Sequence, residues 1–322
     1  MIRIGAKYGN VSASNILPGR KAISKSTVEQ INTIKQDICS RLQDPIQRDA
    51  VAFTTDLWTD NGTDESDIGK ELWTLKRAMY ACKVFPKIKT SENIEFELDQ
   101  ILTEVYCDPT NTPVTTDKGA NMVAATAQKI RIDCACHRIN TAIKTGWERA
   151  MMENEELDQL HDDVNKAVTF AKKSSGIQSE LPISLKRGGK TRPWRSLYSM
   201  FNSILQSYGK LSDILTEKNK AYIVAGIDLN LLAIVTKFFE KLNRIFDILE
   251  FGSIASIQNV APSYYALQNA WEIETDDDPL TRILRRIMTE ELVQKVWTSL
   301  NSIHFIAAYL DPTLKSFLFS EE

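Results

Sequence analysis

The sequence predicts a layered α/β fold that gives way to an all-α second half. Two β-prone runs each end in an aspartate, Val51-Ala52-Phe53-Thr54-Thr55-Asp56 and Pro113-Val114-Thr115-Thr116-Asp117. Strand-like and helix-like segments alternate as β-α-β-α-β up to about residue 134, the rhythm of layered α/β domains. Beyond residue 140, strand signals become scarce and amphipathic patterns dominate.

Each element has its own signal. Residues 3–25 carry Arg3, Lys7, Arg20, Lys21 and Lys25 with no acid among them. Gly5, Gly9, Pro18 and Gly19 interrupt regular structure there, so this stretch reads as a charged arm. A helix is expected from Ser26-Thr27 to about Gln43. Ser26 is its N-cap, Glu29 stands in capping-box register, and Ile31, Ile34, Ile38 and Leu42 form its apolar stripe. Pro45 is expected to end it. The first strand is expected over 51–57, followed by a polar turn from Thr59 to Asp67 with Asn61-Gly62 as its signal. Residues 71–85 are ambiguous between strand and helix. Ser91 is expected to cap a helix that runs to about Tyr106, apolar at Ile94, Leu98, Ile101, Leu102 and Val105. The second acidic strand spans 112–117, a short helix 119–129, and a third strand about 130–134. Amphipathic helical patterns then cover 151–174, 194–216, 227–251 and 281–300. These signals divide the chain into a basic arm and helix (1–48), an α/β core (49–139) and an all-α region (140–322).

Composition bounds the function. With 322 residues and 43% hydrophobic content the chain can build a real core. A net charge of −3 argues against a globally basic nucleic-acid binder and leaves local basic patches open. Five cysteines fit a reducing compartment better than a disulfide framework. No run approaches 18 apolar residues, so no membrane-spanning helix is expected. The N-terminus lacks the pattern of a signal peptide. The chain reads as intracellular, in cytosol or nucleus.

The chemistry rests on the two strand-end acids. Neighbouring strands that present carboxylates at their C-terminal ends can hold divalent cations between them, as phosphodiester cleavage requires. The plainer reading of Asp56 or Asp117 alone is an acid that starts a turn. Cys134 and His137 have a Cys-x-x-His spacing, but no second pair completes a four-ligand zinc site, so no structural zinc is expected. Trp194 stands among Lys186, Arg187, Lys190, Arg192 and Arg195, with no acid in the stretch 186–195. An aromatic in a basic cluster can stack on an unpaired base while the cations hold phosphates. It can equally be a buried helix-start residue behind a solvated loop. Asp276-Asp277-Asp278 reads as a solvated loop ahead of a helix starting near Leu280. His161 and His304 read as structural. Trp58, Trp73, Trp147, Trp271 and Trp297 read as core residues.

Several of these blocks together carry a resemblance. Thr54-Thr55-Asp56-Leu57-Trp58-Thr59-Asp60-Asn61 and Thr115-Thr116-Asp117-Lys118-Gly119-Ala120-Asn121-Met122-Val123 resemble the two signature strands of hAT-superfamily DNA transposases, the Hermes-like members in particular. Ile130-Arg131-Ile132-Asp133-Cys134-Ala135-Cys136-His137 resembles the Cys-x-x-His run that follows them. Lys190-Thr191-Arg192-Pro193-Trp194-Arg195-Ser196 resembles the family's Thr-Arg-Trp motif. Ile4-Gly5-Ala6-Lys7-Tyr8-Gly9 and Leu17-Pro18 agree, and the blocks stand in the family's order.

The resemblance implies an RNase H-like mixed sheet with flanking helices, incomplete here and interrupted by a large all-α insertion. It implies metal-dependent DNA cleavage and strand transfer in the nucleus, with Mg²⁺ or Mn²⁺ held by Asp56 and Asp117 and a glutamate. It implies a DNA contact by Trp194 with Arg192, Arg195 and Lys190, and a supporting role for Cys134 and His137. Transposon-end and flanking DNA are the implied partners, a homo-oligomer is left open, and no membrane partner is expected. The chain departs from the family in three ways. The catalytic glutamate has no match before Glu322, a sheet strand is missing after Asp67, and Pro193 is inserted ahead of Trp194. No BED-type zinc finger or dimerisation region is recognisable. The implied reading is a transposase by descent, inactive in this form. The alternative is a non-catalytic DNA- or protein-binding relic, including one co-opted by the host.

Overall fold

The structure, a computed structural model, describes residues 20–48, 51–54, 88–174, 176–188, 193–250 and 256–314. The chain divides into two compact units, and among the described residues the border falls between Ile132 and Asp133. The expected turn at 59–67 and the ambiguous segment 71–85 lie outside the described residues.

In the first unit, α1 (Arg20–Gln47) begins before Ser26 and runs past Pro45. Proline removes one backbone donor and crowds the preceding turn, but near a helix end few bonds are at stake. Tertiary packing holds that last turn helical. Cys39, Leu42 and Ile46 lie against a core of Leu98, Leu102, Val105, Cys107 and Val114. The other half of the expected stripe is open to solvent, with Ile31 47% and Ile34 57% exposed.

The first strand, β1 (Phe53–Thr54), is described over two residues. α2 (Ser91–Glu104) is capped by Thr90 rather than Ser91: the Thr90 hydroxyl accepts the Asn93 N–H at 3.4 Å. Its apolar stripe is buried at Ile94, Leu98 and Leu102. The chain leaves the helix through Tyr106, at φ 63°. β2 (Val114–Thr116), α3 (Ala120–Ala125) and β3 (Arg131–Asp133) follow. The strand order is β1-β2-β3, and β1 and β2 run parallel, with Phe53 opposite Val114 and Thr54 opposite Thr115. Parallel neighbours need a crossover, and α2 lies in the one between β1 and β2. Val114 donates its N–H to Ile130 at 2.9 Å. Lys129, buried, meets Asp99 of α2 and donates to the Pro109 carbonyl at 3.3 Å.

Among the described residues from Ala135 onward the regular elements are helical: α4 (Ala135–Glu153), α5 (Glu155–Lys173), α6 (Ile177–Glu180), α7 (Pro193–Glu217), α8 (Leu229–Glu250), α9 (Val260–Ala270), α10 (Pro279–Lys295) and α11 (Ser302–Leu310). Short 3₁₀ turns at Ala221–Ile223, Ile257–Asn259 and Trp297–Ser299 join some of them. The expected patterns at 151–174, 194–216, 227–251 and 281–300 correspond to α5, α7, α8 and α10. The core gathers their stripes, including Trp147, Leu160, Phe201, Leu232, Phe239, Phe246, Leu284 and Met288. α4 and α10 pack so closely that a Cβ on Gly146 would come within 2.7 Å of the Met288 Sδ.

The loop before α10 differs from its expected solvated form. Asp278 is the N-cap and accepts the N–H groups of Leu280 at 3.0 Å and Thr281 at 2.9 Å. Asp277 is 7% exposed and lies 3.1 Å from Arg285, which also pairs with Glu274 at 2.7 Å. A buried guanidinium requires charged partners nearby, and these acids supply them.

His161 and His304 both pack within the helical unit. Nδ1 of His304 accepts the Asn301 N–H at 3.2 Å and closes a capping box. Burial pushes its pKa below the ordinary imidazole value. His161 packs edge-on to Trp147 and Phe201 and is pushed down by burial as well.

Candidate active site

β2 delivers Asp117 to its C-terminal end. Val114 and Thr116 point into the first unit and are buried, so the pleat is fixed and Asp117 emerges half-buried at the strand mouth. Its Oδ1 accepts the Gly119 N–H at 3.0 Å, which holds the carboxylate over the turn. A Cβ at position 119 would lie 3.2 Å from that oxygen, so glycine leaves the carboxylate its room. The backbone beneath is braced from β3. Arg131 donates Nε to the Thr116 hydroxyl at 3.0 Å and Nη2 to the Asp117 carbonyl at 3.3 Å. The Thr116 hydroxyl donates to the same carbonyl at 2.8 Å. Asn121 of α3 donates to the Lys89 carbonyl at 2.6 Å, tying the following turn to the approach of α2.

Arg131 was not singled out by sequence reasoning. Its only signal was its place in the run Ile130–His137, and a lone strand-start arginine does not announce a bond to the neighbouring strand.

Asp56 lies outside the described residues. A carboxylate oxygen is the donor that Mg²⁺ or Mn²⁺ takes, and Asp117 fits one ligand position of such an ion. Among the described residues, no group of three or more His, Cys, Asp or Glu side chains is placed to hold a metal.

Cys134 is the N-cap of α4 and His137 is exposed on its first turns. Cys136 packs partly buried against the helical core. The Tyr264 phenol is pushed up by burial, and Ser299, Arg138, Cys134 and Cys136 surround it. The cysteine pair therefore faces packed protein at the start of α4.

Of the basic cluster, Lys190 and Arg192 lie outside the described residues. Trp194 falls in the first turn of α7, and its side chain is likewise outside them. Lys186 and Arg187 are exposed, and the Lys186 N–H is fixed to the Ser203 hydroxyl of α7 at 2.9 Å. Arg195 pairs with Asp247 of α8. One cation of the cluster is thus engaged by protein. No helix among the described residues is long and apolar enough to cross a membrane.

Comparison with known proteins supports a transposase relationship. The chain is similar to the Transposable element Hobo transposase of Drosophila melanogaster, 26% identical over 317 residues, which covers 96% of this chain and 48% of that protein. The chain thus spans about half the length of the curated relative it matches. No family model matches it.

Proposed function

We propose that the chain is an hAT-type transposase by descent, with an RNase H-like core whose Asp56 and Asp117 form a carboxylate pair for DNA phosphodiester chemistry. The observation that carries this reading is the register of the sheet. β1 and β2 pair residues that are 61 apart in sequence, and Asp117 follows Asp56 by the same 61. Carried two residues further, that register would set the two acids side by side. Parallel neighbours are about 4.8 Å apart and paired residues share a face, so the two carboxylates would be within reach of one cation. The likeness to a transposase over nearly the whole chain supports the same reading.

A bound Mg²⁺ or Mn²⁺ would supply Lewis-acid stabilisation of charge on the reacting oxygens. The protein's own part is to hold the acids in place. Gly119 and Thr116 orient Asp117, and Arg131 anchors its backbone. Two carboxylates make a weaker site than three, so cleavage by this chain is expected to be slow or absent while DNA binding persists. DNA, a nuclear setting and a DNA contact by Trp194 with its basic neighbours belong to this proposal.

The test is an end-labelled hairpin or nicked-duplex DNA incubated with the chain in Mn²⁺, beside Asp117→Asn. Any cleavage is expected to fall at least about 100-fold in the variant, as removal of a group acting on the reacting oxygens does. Cleavage that survives unchanged in Asp117→Asn contradicts the assignment. Binding with no cleavage in either protein favours the non-catalytic relic.

A further inference from the structure

We propose that the outer face of α8 is a docking surface for the phosphate backbone of duplex DNA. The proposal rests on the DNA-acting reading above and adds a surface to it.

Lys237, Lys241 and Arg244 recur at i, i+4 and i+7 and are all exposed. That spacing keeps them within a narrow arc of the helix, over an axial length of about 10 Å. The same length spans roughly three phosphates along one DNA strand. Among the described residues none of the three is held in an ion pair. Two acids of the helix, Glu240 and Asp247, are exposed beside this row. Asp247 is taken by Arg195 of α7. Glu240 lies toward Tyr198 of α7, whose phenol is pushed up by burial and by that charge. Asn230, Ala233 and Ile248 are exposed and uncharged on the same helix.

The opposite face of α8 fixes this orientation. Leu232, Val235, Phe239, Leu242, Phe246 and Leu249 are buried in the helical core. The helix cannot rotate its cations inward without exposing that stripe. A rigid row of three cations on a chain of net charge −3 is a local concentration of charge, and a backbone polyanion, which presents several charges over the same length, is the partner of complementary charge.

The experiment measures binding of the full chain to a fluorescent 30-base-pair duplex of arbitrary sequence, by anisotropy across a salt series. The Lys237→Gln/Lys241→Gln/Arg244→Gln variant is compared with Lys210→Gln/Lys218→Gln/Lys220→Gln, which removes equal charge from exposed sites elsewhere. The slope of log K against log salt is expected to fall by about 2.7 in the first variant, with affinity at ~0.1 M salt at least tenfold weaker. The second variant is expected to stay within about one unit of the parent slope. A Lys237→Arg/Lys241→Arg variant, which keeps both charges, should match the parent. An unchanged slope in the first variant, or an equal loss in the second, overturns the proposal. So does a parent chain that prefers phosphatidylserine vesicles to duplex. If the parent binds no DNA even at low salt, the functional reading falls too. If it binds and only the α8 variant is indistinguishable from it, the docking surface alone falls.

Discussion

Lys129 carries its charge at 3% side-chain exposure, against an Asp99 carboxylate that is 39% exposed. The two partners therefore bear unequal risk. Asp99→Leu strands a buried ammonium that, among the described residues, keeps the Pro109 carbonyl as acceptor, and is expected to cost about 3 kcal/mol. Lys129→Met leaves an aspartate that water can reach, and is expected to cost about 1 kcal/mol or less. Urea unfolding of both variants checks the order; equal losses would contradict it. Contacts of this kind are not legible in a sequence. The two residues are 30 apart, and neither falls in a pattern that marks it as buried. The same holds for Arg131, which braces Asp117, and for Asp277, whose aspartate run suggests water while its carboxyl is turned to Arg285. Asp117 itself was legible, because a β-prone run ending in an acid is a local signal.

At the level of elements, the pattern of large apolar residues found most helices and missed those built on small ones. α5, α7, α8 and α10 each carry Leu, Ile, Val or Phe at helical spacing. α4 does not. Its buried face is Ile139, Ala142, Ile143, Gly146, Trp147 and Ala150, where alanine and glycine dilute the stripe. The small residues serve the packing: Gly146 lets Met288 of α10 approach, and Arg149 bridges Glu290 and Glu291 of α10, at 2.7 Å each. Adding a methyl at Gly146 sets a gain in helix propensity of about 1 kcal/mol against the displacement of a flexible methionine. Gly146→Ala is therefore expected to be within about 1 kcal/mol of neutral, and Gly146→Leu to lose about 3 kcal/mol or more by overpacking. Thermal melts that rank the two the other way would show that α4 and α10 are not in contact at this point. The ends of α1 and α2 escaped prediction for a related reason. Caps and prolines set local preferences, and burial of Leu42 and Ile46 on the first-unit core overrides them.

Across the whole molecule, the chain divides into two units that, among the described residues, part between Ile132 and Asp133. What the sequence made legible was the helical character of α5, α7, α8 and α10 and the strand-end position of Asp117. What it left hidden was the network of long-range ion pairs and the cations of α8, whose outward direction is set by the opposite, buried face. The pairing of Asp56 with Asp117 is the claim on which the functional reading turns, and the 61-residue register of β1 and β2 is its physical basis. Metal binding tests it without requiring turnover. Calorimetric titration of Mn²⁺ into the parent chain is predicted to show saturable binding that is lost in both Asp56→Asn and Asp117→Asn and kept in Asp162→Asn, a change at an exposed carboxylate in the helical unit. Binding that persists undiminished in either of the first two variants would contradict the account.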